Sequence, residues 1–325
     1  MSANVHLQWG AEALWQQLQP LLPGLSVEVL ARAESTNTVL LERARLLGGA
    51  RDAPISRPGE LDAAAIGGPT PLGRRDADVQ PCLLVAEQQT RGRGRMGRDW
   101  VSSVGASLTF SLALPLVPAD WSGLSLAVGL ALAEALEPLP PLLDAETAAK
   151  TAAATAPATA PGPAPRLQLK WPNDLWLVEE PAAPGRGRKL GGILIETVSV
   201  GHRRMCVVGV GLNVLPQAVP DFPHGYASLQ ELQPGISAPA ALARVAEALV
   251  LALLDFEARG FAPLLPAYAR RDLLRDQAVT TTLAEVPAGV ADGVDERGAL
   301  RVVSGGVHLV VSGEVSVRLG AAGSA

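Results

Sequence analysis

Apolar positions along this chain change their spacing from segment to segment, and those changes divide it into elements. Residues 7–22 carry apolar side chains at 7, 14, 15, 18, 21 and 22, a loosely helical spacing that stops before Pro23. LSVEVLA at 25–31 alternates as a strand does, and in the AESTNTVLLERARLL that follows, Ser35 can cap a helix running to Leu47. Apolar runs at 82–88, 106–114, 167–171, 189–200 and 204–214 read as further strands, with a helix at 124–136 among them. Residues 240–259 predict a strongly amphipathic helix. Beyond Asp276 the texture turns to short strands, AVTTTLAEV, GVADGVDERGALRVV and HLVVSGEVSVRL, broken at Gly and Asp-Glu-Arg-Gly turns. That pattern predicts a small antiparallel barrel of roughly 50 residues. Residues 48–81, 147–165 (TAAKTAAATAPATAPGPAP) and 179–188 (EEPAAPGRGR) fit neither period and hold too little apolar surface to order themselves, so they are expected to be mobile surface loops.

Composition narrows the class. With 325 residues, 48% of them apolar, the chain can bury a large core in one big domain plus a smaller one. A net charge of -5 argues against a general nucleic-acid coat. Cys82 and Cys206 lie in apolar runs, as core thiols do. Histidines 6, 202, 224 and 308 have no ligand-spaced Cys or His neighbour, so no dedicated metal site is expected. The N-terminus lacks a basic segment followed by an apolar one, and the apolar stretches at 124–136 and 246–254 are too short to span a bilayer. A cytoplasmic protein is the expectation, with neither membrane nor nucleic acid as partner.

One short run carries the chemistry. QTRGRGRMGRDW, ending at Trp100, contains Gly92, Gly94 and Gly97 at the spacing of a dinucleotide-binding loop. Such a loop needs a helix after it. Here DWVSSVGASLTFSLAL follows, a turn and then a strand. A nucleic-acid patch needs interleaved aromatics, and only Trp100 is present. A solvated basic loop also fits the arginine spacing. The glycines, however, let backbone N–H groups approach a ligand while alternate arginines reach in, which suits a phosphate-bearing molecule.

The GRGRMGRDW run resembles the glycine-arginine loop of biotin protein ligases, enzymes that make biotinyl-5'-AMP and pass biotin to a carrier lysine. Further motifs follow in the family's order: Ser35-Thr36-Asn37, Glu87-Gln88-Gln89, Lys170-Trp171-Pro172-Asn173-Asp174, Lys189-Leu190-Gly191-Gly192-Ile193, Gly209-Val210-Gly211-Leu212-Asn213 and Ser312-Gly313-Glu314-Val315-Ser316. They span almost the whole chain, and KWPND followed by KLGGILIE is the most specific part. The resemblance implies an α+β catalytic domain at 1–272, a mixed β-sheet flanked by helices as in biotin/lipoate ligases and class II synthetases. It also implies an SH3-like β-barrel at 273–325. ATP and biotin are the implied substrates, with Mg2+ carried by ATP. The implied acceptor is a biotin carboxyl carrier protein, from acetyl-CoA carboxylase or a related carboxylase.

The residue types suit that chemistry. A carboxylate attacking a phosphate brings two anions together, and two unit charges 4 Å apart cost about 4 kcal/mol at an effective dielectric of 20. Fixed cations therefore count for much, and Lys189 and Arg95 are the catalytic candidates. By resemblance Lys189 bridges the biotin carboxylate and the α-phosphate, Arg95 retains the adenylate, and Arg98 touches the ATP phosphates. Ser35, Thr36, Asn37, Gln89 and the backbone at Arg93 and Gly94 would serve biotin's ureido group, with the small Gly191-Gly192 pair leaving room beside its ring. Ser35 also suits a helix cap. Trp100 would cover the adenosine, or else be a core residue, while Asn213 would approach the adenine, or else be a turn residue. Asn173 and Asp174 fall at a strand end facing the nucleotide, where Asp174 orients Lys189, reaches the Mg2+ of ATP or forms an Asx turn.

This chain departs from the family where the 179–188 insert separates Asp174 from Lys189, which either lengthens a hairpin at its tip or moves the lysine. Only 34 residues precede Ser35, so a ligase of the monofunctional type, without a DNA-binding domain, is expected. Monomer and homodimer both fit. The rival readings are a lipoate-type acyl ligase and a non-catalytic biotin or adenylate sensor, although a sensor could dispense with Lys189.

Overall fold

The computed structural model describes residues 7–49, 80–140, 164–179, 187–200, 203–217, 225–311 and 317–319. The low-complexity stretches anticipated as loops fall almost wholly outside these residues, as do the Ser312–Ser316 motif and three of the four histidines, all but His308.

A seven-stranded mixed sheet forms the body. Its strands are β1 (Ser26–Ala33), β2 (Cys82–Gln89), β5 (Ser107–Pro115), β6 (Leu167–Lys170), β7 (Asp174–Leu177), β8 (Arg188–Val200) and β9 (Arg203–Asn213). They lie in the order β1-β2-β5-β9-β8-β7-β6. β1 runs parallel to β2 and every other neighbouring pair is antiparallel. The central strands read as continuous apolar runs because both of their faces are covered. Leu83, Val85, Leu108, Phe110, Leu112, Val208 and Val210 join one core, while Cys82, Leu84, Ala113, Met205 and Val207 join another.

The first core is closed by α1 (Ala11–Leu18), α3 (Leu124–Leu136) and the long amphipathic helix Ala238–Arg259. The buried side of that long helix, Ala241, Leu242, Val245, Ala246, Leu249, Val250, Leu253 and Phe256, has the three-and-four spacing expected of one apolar stripe. Ser237 caps its N-terminus by accepting from Ala240 N, and Gly260, at φ 69°, ends it. α3 is apolar on most of its circumference, Glu134 being exposed, because it packs between this helix and the sheet. No described helix is long and apolar enough to cross a membrane. The opposite face of the sheet carries α2 (Thr36–Gly49), which seals its core with Leu40, Leu41 and Ala44.

β7 is absent from the sequence-based strand assignment, which treats the residues after Asp174 as the start of an insert. In the structure DLWL forms a four-residue strand between β6 and β8. β7 and β8 pair antiparallel, and Lys189 Nζ lies 2.7 Å from Asp174 Oδ1, so the two residues on either side of the insert meet.

The C-terminal strands make a five-stranded antiparallel sheet in the order β13-β12-β11-β10-β14. These are β10 (Ala278–Thr281), β11 (Ala288–Val294), β12 (Leu300–Val303), β13 (Val307–Val310) and β14 (Val317–Leu319). The sheet is fastened to the body by specific contacts. Trp171 is buried and its Nε1 donates to Gly298 O at 3.0 Å. Gly298 in turn lies so close to Gly123 that a Cβ there would fall 2.7 Å from the Gly123 Cα. Arg297 and Asp120 pair at 2.8 Å across the same junction.

Candidate active site

The arginine-rich run folds as a small hairpin. β3 (Gly92–Arg93) pairs with β4 (Asp99–Trp100), and Gly94 N donates to Arg98 O at 2.7 Å inside the turn. Gly92 has to be glycine, because a Cβ would meet Trp100 O at 2.3 Å. The turn passes through left-handed backbone at Met96 and Gly97. This hairpin covers a cavity of about 710 Å3 on the α2 side of the sheet, a size suited to a cofactor-sized ligand.

The cavity floor is made of small residues. Along β9, Gly209 and Gly211 point to the same side, opposite Ser111 and Thr109 of β5. A Cβ at Gly209 would lie 2.1 Å from Asn37 Oδ1, and one at Gly211 would lie 2.5 Å from the Trp100 indole. The two glycines of GVGLN thus make room for two side chains of the site.

A chain of polar contacts runs along one end. Thr36 donates from its backbone N to Gln89 Oε1 at 2.7 Å, and its hydroxyl lies 3.2 Å from the same oxygen. Ser111 Oγ is 2.6 Å from both Thr36 Oγ1 and Asn37 Oδ1. Asn37 Nδ2 donates to Leu194 O at 3.1 Å and to Glu196 Oε2 at 2.9 Å. Ser35 is buried at the head of α2, with Thr38 N 3.5 Å from its Oγ, so it caps the helix and lines the cavity together.

The other end is cationic. Lys189 Nζ donates to Asp174 Oδ1 at 2.7 Å, both side chains being largely enclosed. Their meeting depends on an irregularity in strand pairing: Leu175 faces Gly191 but Trp176 faces Lys189, so one residue bulges out of β8. Strict alternation would put Lys189 and Gly192 on opposite faces, and the bulge brings the lysine round to the side of Asp174. Arg95 Nη1 donates to Asn173 Oδ1 at 3.2 Å, and Asn173 Nδ2 donates to Ile193 O at 2.8 Å, which ties the hairpin to the rim of the sheet. Asn213 is buried, with Nδ2 donating to Ala227 O at 3.0 Å and Lys189 O at 3.3 Å. It thereby fixes the backbone that carries the lysine.

All the candidate residues border this cavity: Ser35, Thr36, Asn37, Gln89, Arg93, Gly94, Arg95, Arg98, Trp100, Asn173, Asp174, Lys189, Gly192 and Asn213. Gly191 does not. A Cβ on it would strike Leu212 Cδ2 at 2.5 Å, so its smallness serves strand packing. Sequence reasoning passed over Lys170, Gln217, Tyr226 and Arg318, which also line the cavity. Lys170 was visible inside KWPND, but nothing local marked Gln217 or Tyr226. Arg318 arrives from β14 of the C-terminal sheet. Lys170 is buried, and its Nζ donates to Val317 O at 2.8 Å while lying 5.5 Å from the Trp176 ring centre.

Among the described residues, six cationic side chains face this space, Arg93, Arg95, Arg98, Lys170, Lys189 and Arg318, against the carboxylates Asp99 and Asp174. Burial lowers the pKa of both Arg95 and Lys170; nearby Asp174 opposes the shift in each, while Arg98 adds to it. A polyanion entering here would relieve that crowding. Trp100 Nε1 is enclosed and has no hydrogen-bond partner among the described residues.

Comparison with known proteins accords with this geometry. Residues 78–213 match the model of the Biotin/lipoate A/B protein ligase family. The bifunctional ligase/repressor BirA of Escherichia coli is 30% identical over 310 residues, covering 93% of this chain and 77% of that protein. The biotin--[acetyl-CoA-carboxylase] ligase of Mycobacterium tuberculosis is 33% identical over 248 residues, covering 73% and 78% respectively. The fold is shared with the Aquifex aeolicus biotin protein ligase solved in complex with biotin and ATP, with a TM-score of 0.59, 24% identity, and coverage of 90% of this chain and 99% of that one. The chain belongs to the biotin protein ligase family.

Proposed function

We propose that this protein joins biotin to ATP in the cavity beneath the 91–100 hairpin and then transfers the biotinyl group to a carrier lysine. In the first step a biotin carboxylate oxygen bonds to the α-phosphorus while the bond to the pyrophosphate oxygen breaks. In the second, the neutral amine of the acceptor lysine attacks the acyl carbon, AMP departs with the bonding electron pair, and the surplus amine proton passes to solvent. The observation that carries this reading is the two-ended lining, a polar chain from Gln89 to Asn37 at one end and a cluster of cations around Lys189 at the other.

Lys189 neutralises the charge that builds between carboxylate and phosphate, and Asp174 aims it. Arg95, held by Asn173, retains the adenylate. Arg98 meets the phosphates, and Trp100 lies against the adenosine across Gly211. Asn213 acts through the Lys189 backbone as well as facing the nucleotide. The ureido ring sits among Ser35, Thr36, Asn37, Gln89 and the backbone of Arg93 and Gly94, with Gly192 leaving space beside it. Asp174 is engaged by Lys189, so the Mg2+ that accompanies ATP is assigned to the phosphates. Residues 1–272 form the catalytic domain and 273–325 an SH3-like domain that lends Arg318 to the cavity. The acceptor is a biotin carboxyl carrier protein of a carboxylase, and the acidic chain works in the cytoplasm without nucleic acid. Biotin-dependent exchange of labelled pyrophosphate into ATP tests the reading. Strong exchange with lipoate and none with biotin would overturn it.

A further inference from the structure

Glu196 of β8 has no part in the chemistry above, yet it receives bonds from both the biotin end of the cavity and the hairpin that covers it. Its Oε2 accepts from Asn37 Nδ2 at 2.9 Å and from Arg93 Nη2 at 3.0 Å, and its Oε1 lies 3.2 Å from that same arginine nitrogen. Arg93 is further steadied by Nε donating to Thr38 Oγ1 at 3.2 Å. The polar series from Gln89 through Thr36, Ser111 and Asn37 therefore continues through Glu196 onto the hairpin.

The hairpin is otherwise undercut on this side. A second cleft of about 570 Å3 opens between residues 93–97 and β8, with Leu194 and Glu196 on its β8 wall. Across that gap the Arg93–Glu196 pair joins the hairpin to β8. With the Arg95–Asn173 bond it is one of the hairpin's ties to the sheet, and the one on the side of Asn37.

We propose that Glu196 is a positioning residue, the fixed end of a latch that keeps the hairpin shut over biotinyl-AMP and couples that closure to the seating of Asn37. The inference rests on the reading of the hairpin as the cover of the adenylate. It predicts that breaking the latch acts on the escape of the intermediate more than on its formation.

The test uses the full chain, charged with biotin and ATP and freed of excess substrate, with loss of labelled biotinyl-AMP followed over time. A half-exposed ion pair of this kind corresponds to about a threefold to fivefold faster release in Glu196→Gln. Raising salt from about 0.05 M to about 0.5 M should speed release from the wild type, and this sensitivity should be smaller in the variant, which retains only the screened contacts to the phosphate. Joint reversal, Arg93→Glu with Glu196→Arg, should restore much of the retention. If Glu196→Gln folds poorly, Arg93→Gln removes the same pair from the exposed side and must give the same acceleration. Wild-type release and salt dependence in either folded variant would overturn the latch while leaving the ligase reading intact. A wild type without biotin-dependent pyrophosphate exchange would overturn both.

Discussion

Replacing Lys189 by Met tests the electrostatic core of the proposed mechanism, because it removes the ammonium and leaves an aliphatic stem of similar length. The ammonium now sits 2.7 Å from Asp174 Oδ1, so the local pair is close to neutral. At about 4 Å from the forming acyl-phosphate it contributes about 4 kcal/mol at an effective dielectric of 20, which is about a thousandfold in rate. The substitution also leaves a largely enclosed carboxylate facing the phosphates, so the loss should exceed that of the cation alone. Adding Asp174→Asn removes this second effect. Lys189→Met is therefore expected to lower biotin-dependent pyrophosphate exchange by at least about a thousandfold, and the double variant to regain about tenfold of it. Biotin binding, measured by calorimetry without ATP, should survive in both. Near-normal exchange in Lys189→Met would remove the lysine from the chemistry. A double variant no faster than the single one would mean that Asp174 does not face the nucleotide.

Three other perturbations address separate parts of the site. Arg95→Gly should lose the adenylate and biotinylate bystander lysines on a mixed protein target, and wild-type selectivity would count against its retaining role. Gly209→Ala pushes a methyl group against Asn37, and Gly211→Ala pushes one against Trp100. The first should raise KM for biotin and the second KM for ATP, each about tenfold if stacking or hydrogen bonding worth about 1.4 kcal/mol is lost; the same effect on both substrates from both variants would refute the two-ended site. Asp272 is raised by burial to about 6, and its Oδ2 has no hydrogen-bond partner among the described residues. Because the folded value lies above the unfolded one, the stability it contributes is complete below about pH 4 and is lost as pH rises through about 6. Asp272→Asn should therefore match the wild type near pH 4 and be more stable by up to about 3 kcal/mol near pH 7 in urea denaturation, whereas parallel stability-versus-pH curves would show that the carboxylate is not held out of water.

Elements whose burial is set by their own sequence were legible in it. The central strands and the long helix could be read because each carries enough apolar residues in one period to declare its covered faces. β7 could not: its four residues start two positions after a proline and precede a Pro/Gly-rich insert, and DLWL becomes a strand because β6 and β8 offer it partners on either side. The β8 bulge was hidden for the same reason, since register is a property of two strands, and KLGGI alone does not say on which face its lysine emerges. The glycines of GVGLN gave no hint that they are spaces for Asn37 and Trp100, residues more than 100 positions away in the chain.

The charge of the site illustrates the same limit more sharply. A chain of net charge -5 reads as acidic, and its one conspicuous basic run supplies only part of what faces the cavity. Lys170 comes from β6, Lys189 from β8, where it follows Arg186 and Arg188 in the sequence, and Arg318 from β14. Folding gathers these cations around two carboxylates, and burial then disfavours the charged forms of Arg95 and Lys170. The neighbouring charges of Arg98, Lys189 and Arg318 add to that effect on Lys170, while Asp174 opposes it. Because Lys170 Nζ is bonded to Val317 O, beside Arg318, the C-terminal sheet is held by one of the cations that a bound nucleotide would meet in the cavity. Nucleotide binding and docking of that sheet should therefore stabilise one another.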